Sequence, residues 1–179
     1  MIFYAVTDPS TLDFKHLDAD LERIAHKASM IVYRDKYNAD YASQAKTFID
    51  HARKFGFDKV VLHGDVELAE RYNAHGVHLR SDQFGQISTA KSKGLFVIVS
   101  THSTQEAKEA QALGSDMVTF SPIFETPNKG KPVGLEALRE VVHSVSIPVI
   151  ALGGILNDEQ IKACKEAGAS GIASIRYFA

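Results

Sequence analysis

The chain has 179 residues, 45% of them hydrophobic, with 20 Lys and Arg against 22 Asp and Glu and a net charge of -2. That length and apolar content bury a substantial core and exclude disorder, and the mixed charge leaves no basic footprint for nucleic acid or an anionic membrane. The single cysteine, Cys164, excludes a disulfide framework, fits a reducing cytoplasm and reads as a packing residue.

Along the chain, short apolar runs alternate with amphipathic stretches. The predicted strands are residues 2–6, 30–33, 59–62, 76–79, 95–100, 117–120, 148–152 and 171–175. The first, "IFYAV", is stopped by Asp8-Pro9, so no signal peptide or membrane span is expected there. The predicted helices lie between the strands, at 17–28, 40–54, 66–73, 87–93, 104–113, 134–143 and 158–167. Ser103 with Glu106, and Asn157 with Gln160, are capping-box patterns. Gly94, Gly114 and Gly168 fit helix C-terminal positions.

Strands that are apolar throughout belong to a parallel sheet buried on both faces. Eight of them with seven intervening helices predict a (β/α)8 TIM barrel forming a single domain over 1–179. The sequence runs only to "RYFA" after the eighth strand, so the barrel is expected to be short, with its final helix missing or reduced. The missing helix would either weaken the barrel or leave an apolar groove for a partner subunit, for which a homodimer is the expected arrangement.

Barrels of this kind build their sites at the C-terminal ends of the strands. Here those ends carry Thr7-Asp8, then Arg34 and Lys36, His63-Gly64, His78 with Arg80 and Ser81, Ser100 and His102, the loop with Thr126, Asn128, Lys129 and Lys131, Gly153-Gly154, and Ser174 with Ile175 and Arg176. Gly153-Gly154 between strand and helix lets backbone N–H groups approach an oxyanion, and the turn at Ser174-Ile175 supplies more donors. Each residue also has a plainer reading. His78 suits a core histidine bonded to a carbonyl, His63 a turn, and Arg34, Lys36, Lys129 and Lys131 solvated loop charges. His26, His51 and His143 fall on helices as surface or packing residues.

The segments "YAVTD", "IVYRDK", "GDVELAERYNAHGVHL", "VSTHSTQEAKEAQALGSDMVTFSPIFETPNK", "GLEAL", "IPVIALGGI" and "AGASGIASI" together resemble the thiamin phosphate synthase and TenI superfamily over essentially the whole chain. The resemblance implies a TIM barrel of thiamin biosynthesis that binds a phosphorylated thiazole. The synthase branch couples a pyrimidine pyrophosphate to thiazole phosphate with magnesium. Its typical Gln-x-Arg-x-Lys is Val32-Tyr-Arg34-Asp-Lys36 here, its Asn-Asp is His63-Gly64, and its Gly-Gln-x-Asp is Arg80-Ser81-Asp82-Gln83. Its Thr-x-Thr-Lys is Thr126-Pro-Asn128-Lys129. A hard cation wants anionic oxygens, and Gly64 and Gln83 supply none, although Asp65 or Asp82 lies one residue away.

These departures resemble the TenI branch, whose thiazole tautomerase aromatises a thiazole carboxylate phosphate by proton transfer. The leading expectation is therefore a cofactor-free isomerase. Its base and acid would be His102, with His78 as a second proton-relay candidate. Arg34, Lys36, His63, Ser100, Thr126 and Lys129 would bind substrate, and Gly153, Gly154, Ser174 and Ile175 the phosphate, with no metal ligands. The alternatives are the magnesium-dependent synthase and a non-catalytic thiazole or thiamin phosphate binder.

Overall fold

The computed structural model describes residues 1–179. Eight parallel strands close into one barrel in chain order, with the eighth paired to the first. They are β1 (Ile2–Val6), β2 (Met30–Tyr33), β3 (Lys59–His63), β4 (Gly76–Leu79), β5 (Phe96–Thr101), β6 (Met117–Phe120), β7 (Val149–Leu152) and β8 (Gly171–Ser174). The helices are α1 (Leu17–Ala25), α2 (Tyr41–Ala52), α3 (Val66–Arg71), α4 (Ile87–Ser92), α5 (Thr104–Ala112), α6 (Gly134–Ser144) and α7 (Asp158–Glu166). Every predicted strand and helix exists, and the predicted barrel is the observed one.

Most helices end earlier than predicted. After α1 the Ile24 carbonyl accepts from both Lys27 and Ala28 N–H, closing the last turn, and after α3 the chain turns at Asn73 with φ of 55°. Two short 3-10 turns, 14–16 and 84–86, precede α1 and α4 and were not anticipated. The caps formed as expected. Ser103 accepts from Glu106 N–H and Asn157 from Gln160 N–H. Glu106 and Gln160, however, reach back to the N–H of His102 and Leu156, one residue ahead of the cap. Glu106 thereby fixes the backbone of His102.

Alternation along the strands separates two cores. Residues of one parity, including Tyr4, Val32, Val61, Ile98, Met117 and Ile150, fill the barrel interior. The other parity faces the helices, where Leu17, Leu21 and Ile24 of α1 and Phe48 and Ile49 of α2 meet the sheet. Burying each such side chain contributes about 1.5–3 kcal/mol. At the N-terminal end the barrel is tight. A Cβ on Gly76 would lie 2.2 Å from the Phe96 carbonyl oxygen, and Lys59 Nζ sits 4.7 Å from the Phe96 ring centre. Cys164 is buried among the helix–sheet contacts, and burial pushes its thiol up to about 11, as a packing residue requires.

After β8 the described chain continues for five residues, 175–179. Residues 175–178 form a turn in which Ser174 Oγ accepts from Tyr177 N–H, and Phe178 is buried in the outer core while its carbonyl accepts from Arg23. No helix is long and apolar enough to cross a membrane.

Candidate active site

The C-terminal mouth of the barrel gathers the predicted residues from separate strands. Strand register sets their heights: His63 on β3 pairs with His78 on β4, and Ser100 on β5 pairs with Thr119 on β6. His63 and His78 have ring centres 5.9 Å apart.

His78 lies within the barrel, only 4% exposed. It is not bonded to a backbone carbonyl, as its plainer reading supposed. Nδ1 is 2.9 Å from the Tyr4 hydroxyl and Nε2 is 2.9 Å from Ser100 Oγ, so both nitrogens are satisfied by side chains. Burial, then the charges of His63 and Arg34, hold His78 well below the usual histidine range. Burial first, and then Arg34, Lys36 and Arg80, lower His63 to about 3. Both imidazoles are therefore neutral at pH 7.

His102 differs from them. It is exposed at the rim just after β5, with Nδ1 3.0 Å from the Ser121 carbonyl oxygen. A carbonyl only accepts, so Nδ1 carries the proton, and Nε2 is the basic nitrogen of the neutral ring.

Cations crowd one side of the mouth. A cleft of about 420 Å³ is lined by Lys36, His63, Gly64 and Arg80, with Asp35 and Asp65 on its walls. Lys36 is lowered by desolvation and then by the charges of Arg34, Lys129 and Arg80, against which Asp82 acts in the opposite direction. Asp65 is occupied elsewhere, as its carboxylate caps α3 by accepting from Leu68 N–H.

The opposite side holds the glycine turn. Gly153 and Gly154 have φ of 104° and 68°, in the left-handed region that favours glycine. Both are also pressed against the loop after β6. A Cβ on Gly153 would meet Pro122 Cα at 2.7 Å, and one on Gly154 the Glu125 carbonyl oxygen at 2.4 Å. The N–H groups of Gly153, Gly154, Ile175 and Arg176 donate to no protein acceptor and are left free. Ser174 Oγ is already engaged, donating to the Ile155 carbonyl and accepting from Tyr177 N–H. Thr126 donates to the Phe124 carbonyl, and Lys129 is exposed on the same loop.

Magnesium does not fit where the synthase resemblance implies carboxylates. Gly64 has no side chain, and the site of its missing Cβ lies 3.2 Å from Arg80 Nη1. Gln83 is 7% exposed and fully used: Oε1 accepts from Arg80 N–H and Nε2 donates to the Gly64 carbonyl. Asp82 pairs with Arg80 Nε at 3.0 Å. No three His, Cys, Asp or Glu side chains are grouped to hold a metal.

Sequence reasoning did not single out Tyr4 or Thr119. Both have the inward parity of their strands, which was the available signal. Thr119 is fully buried, yet its hydroxyl has no partner.

Comparison with known proteins places this mouth in a family. The thiamine monophosphate synthase model matches residues 3–178. The thiamine-phosphate synthase of Syntrophomonas wolfei is 31% identical over 96% of this chain and 85% of its own. That of Methanocella arvoryzae is 34% identical over 96% and 84%. The structure of thiamine phosphate pyrophosphorylase from Pyrococcus furiosus superposes with a TM-score of 0.83 at 29% identity, covering 97% of this chain and 85% of that one. The chain belongs to the thiamine monophosphate synthase and TenI family.

Proposed function

We propose that the chain is a thiamin phosphate synthase, coupling a pyrimidine pyrophosphate to a thiazole phosphate with release of pyrophosphate. This reverses the order of the two readings drawn from sequence. Relatives named as synthases match nearly the full chain, and the observation that carries the reading is the pairing of Lys36 and Arg80 in one cleft, with Arg34 and Lys129 near enough for their charges to act on Lys36. A departing pyrophosphate carries several negative charges, and preorganised cations oriented toward it stabilise the transition state in which that charge develops. The free N–H groups at Gly153, Gly154, Ile175 and Arg176 suit the thiazole phosphate. The two anionic ends would thus be held apart, with the reacting atoms between them, over Ser100 and His78.

The test is direct. Purified protein incubated with both substrates should form thiamin phosphate and an equal amount of pyrophosphate. Absence of both products, with deuterium entering a thiazole carboxylate phosphate from heavy water, would replace this reading with the tautomerase. That second reading is favoured by His102, whose tautomer leaves Nε2 as a base at the rim without metal.

A further inference from the structure

The family's magnesium position and this chain's side chains disagree, and the disagreement has a pattern. The space beside Gly64 is not vacant. Arg80 Nη1 lies 3.2 Å from where a Cβ on Gly64 would be, so any aspartate at 64 would meet a guanidinium. Gln83 does not approach a cation. It ties the Arg80 N–H to the Gly64 carbonyl, locking the strand-three and strand-four ends together. Asp82 accepts from Arg80 Nε at 3.0 Å, leaving the two Nη groups for other partners. Asp82 holds the guanidinium at Nε, Gln83 fixes the Arg80 backbone, and the side chain lines the cleft it shares with Lys36 and His63.

We propose that the Arg80 guanidinium stands where the family uses a divalent cation, so that this mouth clamps a pyrophosphate-class anion without metal. The inference rests on the synthase reading for its ligand. A guanidinium is always charged and presents paired donors that match phosphate oxygens, which a hydrated lysine does less well. Arg34, Lys36 and Lys129 add charge from two other loops. His63 and His78 stay neutral beside them and add none. Asp35 and Asp65 line the same cleft and oppose the anion, so the clamp depends on Lys36 and Arg80 together with the nearby Arg34 and Lys129 outnumbering them.

The experiment is calorimetric titration of the whole protein with inorganic pyrophosphate, first in EDTA and then with excess magnesium. Binding in EDTA is expected, and magnesium should not strengthen it. Arg80→Gln is expected to weaken binding in EDTA by roughly tenfold or more, the scale of a lost charge-assisted contact. Its backbone N–H still bonds to Gln83, and a cooperative melt checks the fold. Lys162→Gln removes one charge from the outer surface and should bind as wild type does. Binding that requires magnesium, or Arg80→Gln titrating like wild type, overturns the proposal; if Arg80→Gln fails to fold, the EDTA and magnesium titrations of wild type decide alone. Pyrophosphate binding in EDTA without any coupling activity would sink the synthase reading and leave the clamp standing. Coupling that needs magnesium, with no binding in EDTA, would do the opposite.

Discussion

The Tyr4 hydroxyl and His78 Nδ1 meet at 2.9 Å inside the barrel, with their rings stacked 5.7 Å apart. Burial raises the Tyr4 phenol well above its ordinary value, while burial depresses His78, so the pair is neutral on both sides. Tyr4→Phe keeps the ring and strands the Nδ1 position without a partner. Denaturant titration should show a loss of about 1–3 kcal/mol.

Stability should also fall in acid. His63 is lowered to about 3 and His78 is lowered as well, so the unfolded chain binds more protons than the folded one below the ordinary histidine pKa near 6.5. Their contribution is complete above that pH and is lost as pH falls toward the folded value. Each histidine contributes a slope of at most about 1.4 kcal/mol per pH unit. His63→Gln should flatten the profile between about pH 6 and pH 4, measured by urea unfolding at each pH. An unchanged slope would show that His63 titrates normally in the folded chain.

His102→Gln should lower the melting temperature only slightly, because the side chain is exposed, the α5 cap uses only its backbone, and what is lost is the ring's bond to the Ser121 carbonyl. If His102 moves a proton, turnover should drop by about 10²–10⁴-fold with little change in phosphate affinity. Undiminished turnover would assign the ring to holding the loop after β6 through Ser121.

Gly154→Ala should be costly before any ligand is considered. Its Cβ would collide with the Glu125 carbonyl oxygen at 2.4 Å, and the position needs a φ of 68°. About 1–3 kcal/mol of strain is expected. Crystals of the wild type grown in sulfate should place an oxyanion at the turn, and the variant should lose it. A sulfate found only on surface lysines would count against the site.

Thr119→Val tests the unpartnered hydroxyl. Replacing a buried, unsatisfied hydroxyl with a methyl should leave unfolding stability unchanged or raise it slightly. A simultaneous rise in KM for the thiazole would show that the hydroxyl meets substrate. Unchanged kinetics would leave it as packing.

The barrel was legible because its signal is repetitive. Eight apolar runs punctuated by helix-capping residues such as Ser103 and Asn157 admit few other architectures. The mouth was legible in outline for the same reason, since the last polar residue of each strand points there. What alternation and spacing do not encode is how partners share a site. Arg80 and Gly64 are distant in sequence, and only the register of β3 against β4 brings the guanidinium into the place of the missing side chain. His78 could be assigned to the interior from its parity. Its bonds to Ser100 and Tyr4 depend on the adjacent strand β5 and on β1 across the barrel. Ser174 shows the converse: it lies where a phosphate donor was expected, yet its hydroxyl holds the chain's last turn.

The seating of Gly153 and Gly154 against residues 122–125 divides the mouth into a rigid half and a variable half. On the rigid side two loops share a contact too close for any Cβ, so neither can be altered without disturbing the other. On the side of β2, β3 and β4, the side chains line an open cleft and can be exchanged singly. Most differences from the synthase pattern, at Val32, His63, Gly64, Arg80, Ser81 and Gln83, fall on that half, and Asn128 on the loop after β6 is the exception. A barrel built this way can exchange side chains singly at one wall while the glycine turn at the other stays fixed by its neighbours.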